Sequence, residues 1–374
     1  MKIGIDARRL NPGRGMDRHT EEIIKHLSKI DKVNQYRLFT NNDVSQYELG
    51  SNFIREKLHK RFHFIRKSHM EWYGKLFFKD LDIFHFPTAD IWNSSYCKTL
   101  VTLHDITPYK YPEKFFSSDE EYFTYQKHIE LIKRNASCII TVSNYSKNDI
   151  IDTLGIKKNR IRVAYSGVDN NIFYKSEISV EDQSLIFDKY NIRTPYILNV
   201  GGIDFRKNLK NMIAAFILLK KNYKIPHKLI IVGSVGKYNH EYKLELIKII
   251  QAENIESDII FTGYVDDNDL RTLYNYAELF VFPSLYEGFG MPPVESMACG
   301  CPVITSNNTS LKEICSDSAV LIDPLDVNHI ADGMHSLMND KKLRSHLIKN
   351  GYATAIKYSW DNSVQKLLNI YNQC

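Results

Sequence analysis

Apolar residues recur along this chain in two alternating rhythms. Continuous runs such as Ile3-Gly-Ile-Asp6 and Tyr196-Ile-Leu-Asn-Val200 suit strands buried on both faces. Spaced apolar residues such as Ile23, Ile24 and Leu27 mark one face of a helix. In the first half, strands are predicted at Ile3–Asp6, Tyr36–Thr40, Asp82–Phe86, Lys98–His104, Ser137–Val142 and Ile161–Ala164. Helices fall at Asp17–Ile30, Tyr122–Ile132 and Ser146–Leu154. The rhythm fades near Ser166-Gly-Val-Asp169 and stays charged and weakly patterned to Arg193. It restarts with strands at Tyr196–Val200, Lys228–Gly233, Asp258–Phe261, Glu278–Pro283 and Pro302–Thr305. Between them lie helices at Leu209–Leu219, Tyr242–Ile250, Asn268–Tyr276 and Val294–Ala298. Three more helical patterns follow, at Val327–Met338, Leu343–Ala355 and Trp360–Tyr371.

Strand–helix alternation is the grammar of a parallel sheet, so the expected class is α/β with two Rossmann-like, doubly wound domains. The first is expected over 1–170, a linker over 171–193, the second over 194–356, and a closing helix over 357–374. Ligands of such sheets sit outside the carboxyl ends of the strands.

Composition narrows the class little. The chain has 374 residues, 25% of them charged, with a net charge of +5, so its bulk charge does not call for nucleic acid. Its six cysteines are scattered, form no C-x-x-C pair and read as reduced cytosolic thiols. The N-terminus begins at once with a strand, unlike a signal peptide. No apolar run approaches the roughly 18 residues of a membrane span. A cytoplasmic location is therefore expected.

The densest chemistry lies between Ser284 and Thr305. Glu287 and Glu295 stand eight positions apart, separated by a Gly288-Phe289-Gly290 turn and two prolines. A strand, a glycine loop and a helix start present backbone amides to an anion such as a phosphate. A loop acid and a helix acid at this spacing suit the paired hydroxyls of a sugar or ribose.

This run resembles the E-x7-E signature of the retaining family-4 glycosyltransferases, which have the GT-B fold, two Rossmann-like domains facing across a cleft. The resemblance implies that Glu287 contacts the donor sugar and Glu295 binds the nucleotide ribose. The backbone of Gly288, Phe289, Gly290 and Met291 would lie against the sugar and diphosphate. The family's final helix crosses back onto the first domain.

Three further elements fit that resemblance. In Asn199-Val-Gly201-Gly202-Ile-Asp-Phe-Arg206-Lys207, two glycines end a strand and two cations precede a helix, an arrangement that favours an anion. In the family the matching Arg-Lys pair neutralises the diphosphate leaving group. Many relatives carry another arginine where this chain has Gly202. In Leu103-His104-Asp105, the histidine at a strand's end matches the residue that hydrogen-bonds the donor sugar, whereas His85 reads as structural. The first loop holds Gly13, Arg14, Gly15 and Asp17, expected near the acceptor. Asp17 would cap the following helix and repel a phosphate, while Arg14 or Arg18 could reach one.

The stretch Phe53–Met70 contains Arg55, Lys57, Lys60, Arg61, Arg66 and Lys67 among phenylalanines. It fits either an anionic membrane surface or a solvated face over a core strand.

The resemblance implies transfer of a sugar from a nucleotide diphosphate to a glycan or lipid-linked acceptor. Relatives with the Arg-Lys-Asn element include mannosyltransferases of surface-polysaccharide assembly, which favours mannose from GDP-mannose. No cofactor and no metal are expected, since no Asp-x-Asp motif stands out. A dinucleotide oxidoreductase is disfavoured because neither glycine loop completes G-x-G-x-x-G. A non-catalytic sugar-nucleotide or glycan binder and a nucleotide-sugar epimerase remain open at this level.

Overall fold

Residues 1–10, 15–57, 78–91, 96–177, 179–192, 195–236 and 239–374 are described by a computed structural model. They form two sheets in which every ladder is parallel. The first contains β1 (Lys2–Asp6), β2 (Gln35–Thr40), β3 (Phe53–Lys57), β4 (Ile83–Phe86), β5 (Lys98–Thr102), β6 (Cys138–Thr141) and β7 (Ile161–Val163). Their spatial order is β3-β2-β1-β4-β5-β6-β7. The second contains β8 (Tyr196–Val200), β9 (Lys228–Val232), β10 (Ile259–Gly263), β11 (Leu279–Phe282), β12 (Val303–Ser306) and β13 (Ala319–Ile322). Here the order is β10-β9-β8-β11-β12-β13. In both sheets the chain steps outward from one strand, returns and continues on the other side. The order therefore reverses between β1 and β4, and again between β8 and β11, opening a crevice at each place.

Strands β4, β6, β8, β11 and β12 are buried at every position, which is why they read as unbroken apolar runs. The chain divides into two compact units, Met1–Ser166 with Trp360–Cys374, and Gly167–Ser359. The first unit's core gathers Phe39, Phe84, Phe86, Val101 and Ile139, and the second's gathers Ile197, Phe216, Ile231, Val281 and Ile304. Helix Trp360–Gln373 belongs to the first unit and buries Trp360, Leu367 and Tyr371. The Tyr371 hydroxyl lies 2.7 Å from His85 Nδ1, and Thr102 Oγ1 lies 2.8 Å from His85 Nε2. His85 is thus a fully buried structural bridge.

Several elements escaped the sequence pattern. Strand β3 is an edge strand with Ile54 exposed, so its apolar alternation is weak. The first part of the basic stretch, Phe53–Lys57, forms this strand, with Phe53 stacked on Tyr36 at 4.4 Å. Lys60, Arg61, Arg66 and Lys67 lie outside the described residues. Strand β13 and helix Thr309–Cys315 are too short to show a period. The weakly patterned stretch 171–193 holds a helix, Val180–Lys189, whose N-cap Ser179 accepts from the Asp182 amide. Only Phe187 of that helix is buried, too little to mark a face. Among the described residues, no helix is long and apolar enough to cross a membrane.

Candidate active site

The second unit's crevice lies between the loops that follow β8 and β11. The β8 loop starts with Gly201, whose amide donates to the Val232 carbonyl at 2.9 Å. Opposite it stands Gly233, at φ +142°, where a Cβ would meet the Gly201 carbonyl oxygen at 1.9 Å. Only glycine permits this backbone approach. Gly202 is exposed at the loop tip. Asp204 then caps a 3-10 turn, Phe205–Lys207, by accepting from the Arg206 amide.

Both cations of the loop are already paired. The Arg206 guanidinium grips Asp204 through Nε at 3.2 Å and Nη2 at 2.9 Å. The Lys207 ammonium sits 2.6 Å from Glu287 Oε1 and 4.7 Å from the Phe282 ring centre. Each partner of the Lys207–Glu287 pair keeps only 12% of its side-chain exposure. Ser284 Oγ lies 2.6 Å from the same Glu287 oxygen and 2.8 Å from the Arg206 carbonyl. Two cations and two carboxylates balance formally. An incoming diphosphate would meet hydrogen-bond donors whose charge is already compensated.

The loop after β11 is held from behind. Ser310 Oγ lies 2.9 Å from the Glu287 carbonyl and 3.0 Å from that of Phe289, and Asn308 donates to the Leu285 carbonyl. Gly288 and Phe289 are buried. Gly290 adopts φ +94°, with Leu311 Cδ2 placed 2.5 Å from where a Cβ would stand. It is the N-cap of helix Met291–Ala298. Pro292 and Pro293 lack amide protons, so in that first turn only Met291 and Val294 retain them. Glu295 lies one turn further along, 5% exposed, and its Oε2 accepts from the Tyr274 hydroxyl at 3.1 Å. Burial, with the charge of Glu295, raises the Tyr274 pKa well above its ordinary value.

His104 belongs to the first unit, in the loop after β5, which ends at Thr102 and not at the histidine. Its Nε2 lies 3.1 Å from the Pro87 carbonyl, which can only accept. Nε2 therefore carries the proton, and Nδ1 is left as an acceptor. Burial lowers the His104 pKa, against a hydrogen bond and the charge of Asp105 that raise it. The ring of His19 stands edge-on to His104, 4.4 Å away, and 5.2 Å from Trp360. Burial, then the neighbouring His104 and His85, holds His19 well below the usual imidazole range.

Of the expected acceptor residues, Gly13 and Arg14 lie outside the described residues. Gly15 begins helix Gly15–Ile30, so Asp17 falls within the first turn and not at its cap. Its carboxylate there suits the helix dipole and lies 3.8 Å from Arg9.

Lys207 and Glu287 are thus in direct contact, while Glu295 sits apart beside Tyr274. Sequence reasoning missed Asp204, Ser284, Tyr274, Ser310 and His19. Asp204 carried a usable signal, an acid two positions before an arginine at a turn. Ser284 did too, three residues before Glu287. Tyr274, Ser310 and His19 come from distant segments and had none.

Comparison with known proteins gives a consistent picture. The family model Glycosyl transferases group 1 matches residues 182–354, and Glycosyltransferase Family 4 matches residues 13–171. The chain is 28% identical to the O-antigen chain mannosyltransferase B of Escherichia coli, over 96% of each. It is 31% identical to a serotype-specific mannosyltransferase WbdA of Escherichia coli, over 71% of this chain, which spans only 32% of that protein. Among solved structures, Anabaena Alr3699/HepE in complex with UDP and glucose superposes with a TM-score of 0.77, at 18% identity over 100% of both chains.

Proposed function

We propose that this chain, which belongs to the retaining family-4 glycosyltransferases of the GT-B fold, moves mannose from GDP-mannose to a glycan or lipid-linked acceptor in surface-polysaccharide synthesis. The names of its relatives support the choice of sugar and pathway. The observation that carries the reaction is the Lys207–Glu287–Ser284 cluster at the second unit's crevice. A carboxylate held by a cation is placed to be released when a diphosphate takes that cation over. Glu287 is then available to the donor sugar's hydroxyls. Arg206 and Lys207 stabilise the charge that grows on the departing phosphate oxygen. Glu295 receives the ribose hydroxyls. The backbone of Gly201, Gly202, Gly288, Phe289, Gly290 and Met291 lines the donor. His104, protonated on Nε2, accepts a sugar hydroxyl at Nδ1. The acceptor oxygen attacks the face from which the phosphate leaves, and its proton passes to the leaving phosphate oxygen. The first domain receives the acceptor near Gly13, Arg14, Gly15 and Asp17.

The same proposal makes the reaction independent of metal ions. It places the protein in the cytoplasm, with peripheral contact to an anionic membrane through Phe53–Met70. Thermal-shift titration with GDP-mannose, UDP-glucose, UDP-N-acetylglucosamine and dTDP-glucose tests the donor, because a ligand raises the melting temperature according to its binding free energy. GDP-mannose should give the largest shift, and NMR of the slow hydrolysis product should show the α-anomer first. A larger shift with another donor would replace the sugar assignment. Interconversion of the donor sugar without release would instead indicate an epimerase. Sedimentation with acidic liposomes at low and high salt tests the membrane contact.

A further inference from the structure

The two ion pairs at the second unit's crevice differ in how they can respond to a ligand. Lys207 and Glu287 belong to separate loops, and their contact spans 80 positions of chain. Either side chain can turn away from the other. Asp204 and Arg206 share one turn. Asp204 Oδ1 accepts from the Arg206 amide at 2.9 Å, which fixes the carboxylate as the cap of that turn. The Arg206 carbonyl accepts from the Leu285 amide at 2.7 Å and from Ser284 Oγ at 2.8 Å. Asn208 closes the turn at φ +54°, with Nδ2 donating to the Pro324 carbonyl at 2.6 Å. The backbone of Arg206 is thus held on both sides, and the direction of its side chain is set by Asp204.

A cap alone needs no charge, since asparagine or serine supplies the same acceptor. Here both carboxylate oxygens also meet the guanidinium, Oδ1 at 3.2 Å from Nε and Oδ2 at 2.9 Å from Nη2. Such a fork fixes the plane of the guanidinium as well as its position. The pair is largely covered, Asp204 keeping 16% of its side-chain exposure and Arg206 24%. Glu287 can leave its cation when a diphosphate arrives. Asp204 cannot leave Arg206 without uncapping the turn.

We propose that Asp204 is a positioning residue that acts through Arg206 and sets the release of the product nucleoside diphosphate. The inference rests on the glycosyltransferase reading above. The fork orients Arg206 before the donor arrives, so little side-chain freedom is lost on binding. The same carboxylate stays beside the guanidinium after the transfer. The leaving phosphate group carries one negative charge while the sugar is attached. Near neutral pH it carries two afterwards, once the proton received from the acceptor has passed to solvent. A fixed carboxylate at the clamp therefore weakens the hold on the product more than the hold on the donor.

Isothermal titration calorimetry on the full chain tests this, with GDP, UDP, GDP-mannose and UDP-glucose as probes. Asp204→Asn keeps the cap acceptor and removes the charge. It should tighten binding of the nucleoside diphosphate that the wild type prefers about tenfold, equivalent to roughly 1.4 kcal/mol. The matching sugar nucleotide should gain about half as much on a logarithmic scale, roughly threefold. Asp204→Ser, an uncharged cap of another shape, should give the same selective gain, and serves if the asparagine variant folds poorly. Asp204→Glu, which keeps the charge, should stay within about twofold of the wild type. A gain of affinity that favours product over donor cannot come from a damaged loop. Equal gains for product and donor would overturn the proposal and leave the functional reading intact. So would an unchanged or weakened product affinity in both uncharged variants, or a gain in Asp204→Glu as large as in Asp204→Asn. Failure of the wild type to bind any of the four nucleotides would overturn the functional reading, and the proposal with it.

Discussion

Lys207→Met is the most informative single change, because its consequences for folding and for catalysis separate. The Lys207 ammonium and the Glu287 carboxylate are 2.6 Å apart and each 12% exposed. At that distance the Coulomb attraction is about 6 kcal/mol with an effective dielectric of 20. Desolvation offsets most of it. Truncating one partner of a buried pair costs about 3–5 kcal/mol, and an exposed pair contributes about 0–1 kcal/mol. A pair this well covered, with Ser284 as a further partner, should show a coupling of about 2 kcal/mol. Lys207→Met should therefore lower the second unit's melting temperature, and adding Glu287→Gln should recover roughly 4–8 °C. The three tryptophans, Trp72, Trp92 and Trp360, all fall in the first unit's range, so far-UV circular dichroism must follow the second. Activity should behave differently. Removing one electrostatic donor to the leaving group costs roughly 2–4 kcal/mol of transition-state stabilisation, and Glu287→Gln cannot restore it. Strictly additive stability effects would refute the coupling. Recovery of donor turnover in the double variant would refute the role of Lys207 at the phosphate.

Other expectations follow from particular contacts. Glu295→Ala should raise the donor KM more than it lowers kcat, while Glu287→Ala should act mainly on kcat; equal profiles would argue against separate ribose and sugar roles. Gly233→Ala forces a Cβ against the Gly201 carbonyl at positive φ, and should cost at least about 1–3 kcal/mol with weakened donor binding, both read by thermal shift. Burial lowers the His85 pKa to about 3. Between pH 6.5 and that value the unfolded chain holds a proton that the folded chain lacks, so this histidine's contribution to stability falls as pH falls. The loss is about 2 kcal/mol from pH 6.5 to pH 5, partly offset by His26. Its raised pKa, where Glu22 and Asp361 outweigh burial, adds stability in acid. His85→Asn should flatten the acid slope of stability followed by tryptophan fluorescence, and an unchanged slope would dismiss the assignment. EDTA should leave donor hydrolysis intact, and loss restored by Mg²⁺ would contradict metal independence.

The sheets were legible because strands such as β8 and β11 are buried on both faces and show as unbroken apolar runs. Edge strand β3 was not, since solvent on one side erases the contrast. At the site, spacing could single out Glu287, Glu295, Arg206 and Lys207, because all lie in two short motifs. Their distant partners could not be read the same way. Asp204, two residues before Arg206, was within reach of a local reading, but Tyr274, which covers Glu295, and Ser310, which holds the Glu287 carbonyl, come from segments brought there only by the fold. The three-histidine arrangement around His104 likewise joins the first helix, β4 and the β5 loop, which no local pattern connects.

The return of helix Trp360–Gln373 to the first unit has a consequence for how the chain is made. The second unit is an insertion within the first: its residues, 167–359, are complete on the ribosome before the first unit has all its parts. Until residues 360–374 emerge, His85 lacks Tyr371, His26 lacks Asp361, and the face that receives Trp360 is bare. The first unit must wait, partly assembled and with apolar surface open, while its neighbour folds. Shortening the chain by a few residues at the C-terminal helix would thus strike the half of the protein that was synthesised first.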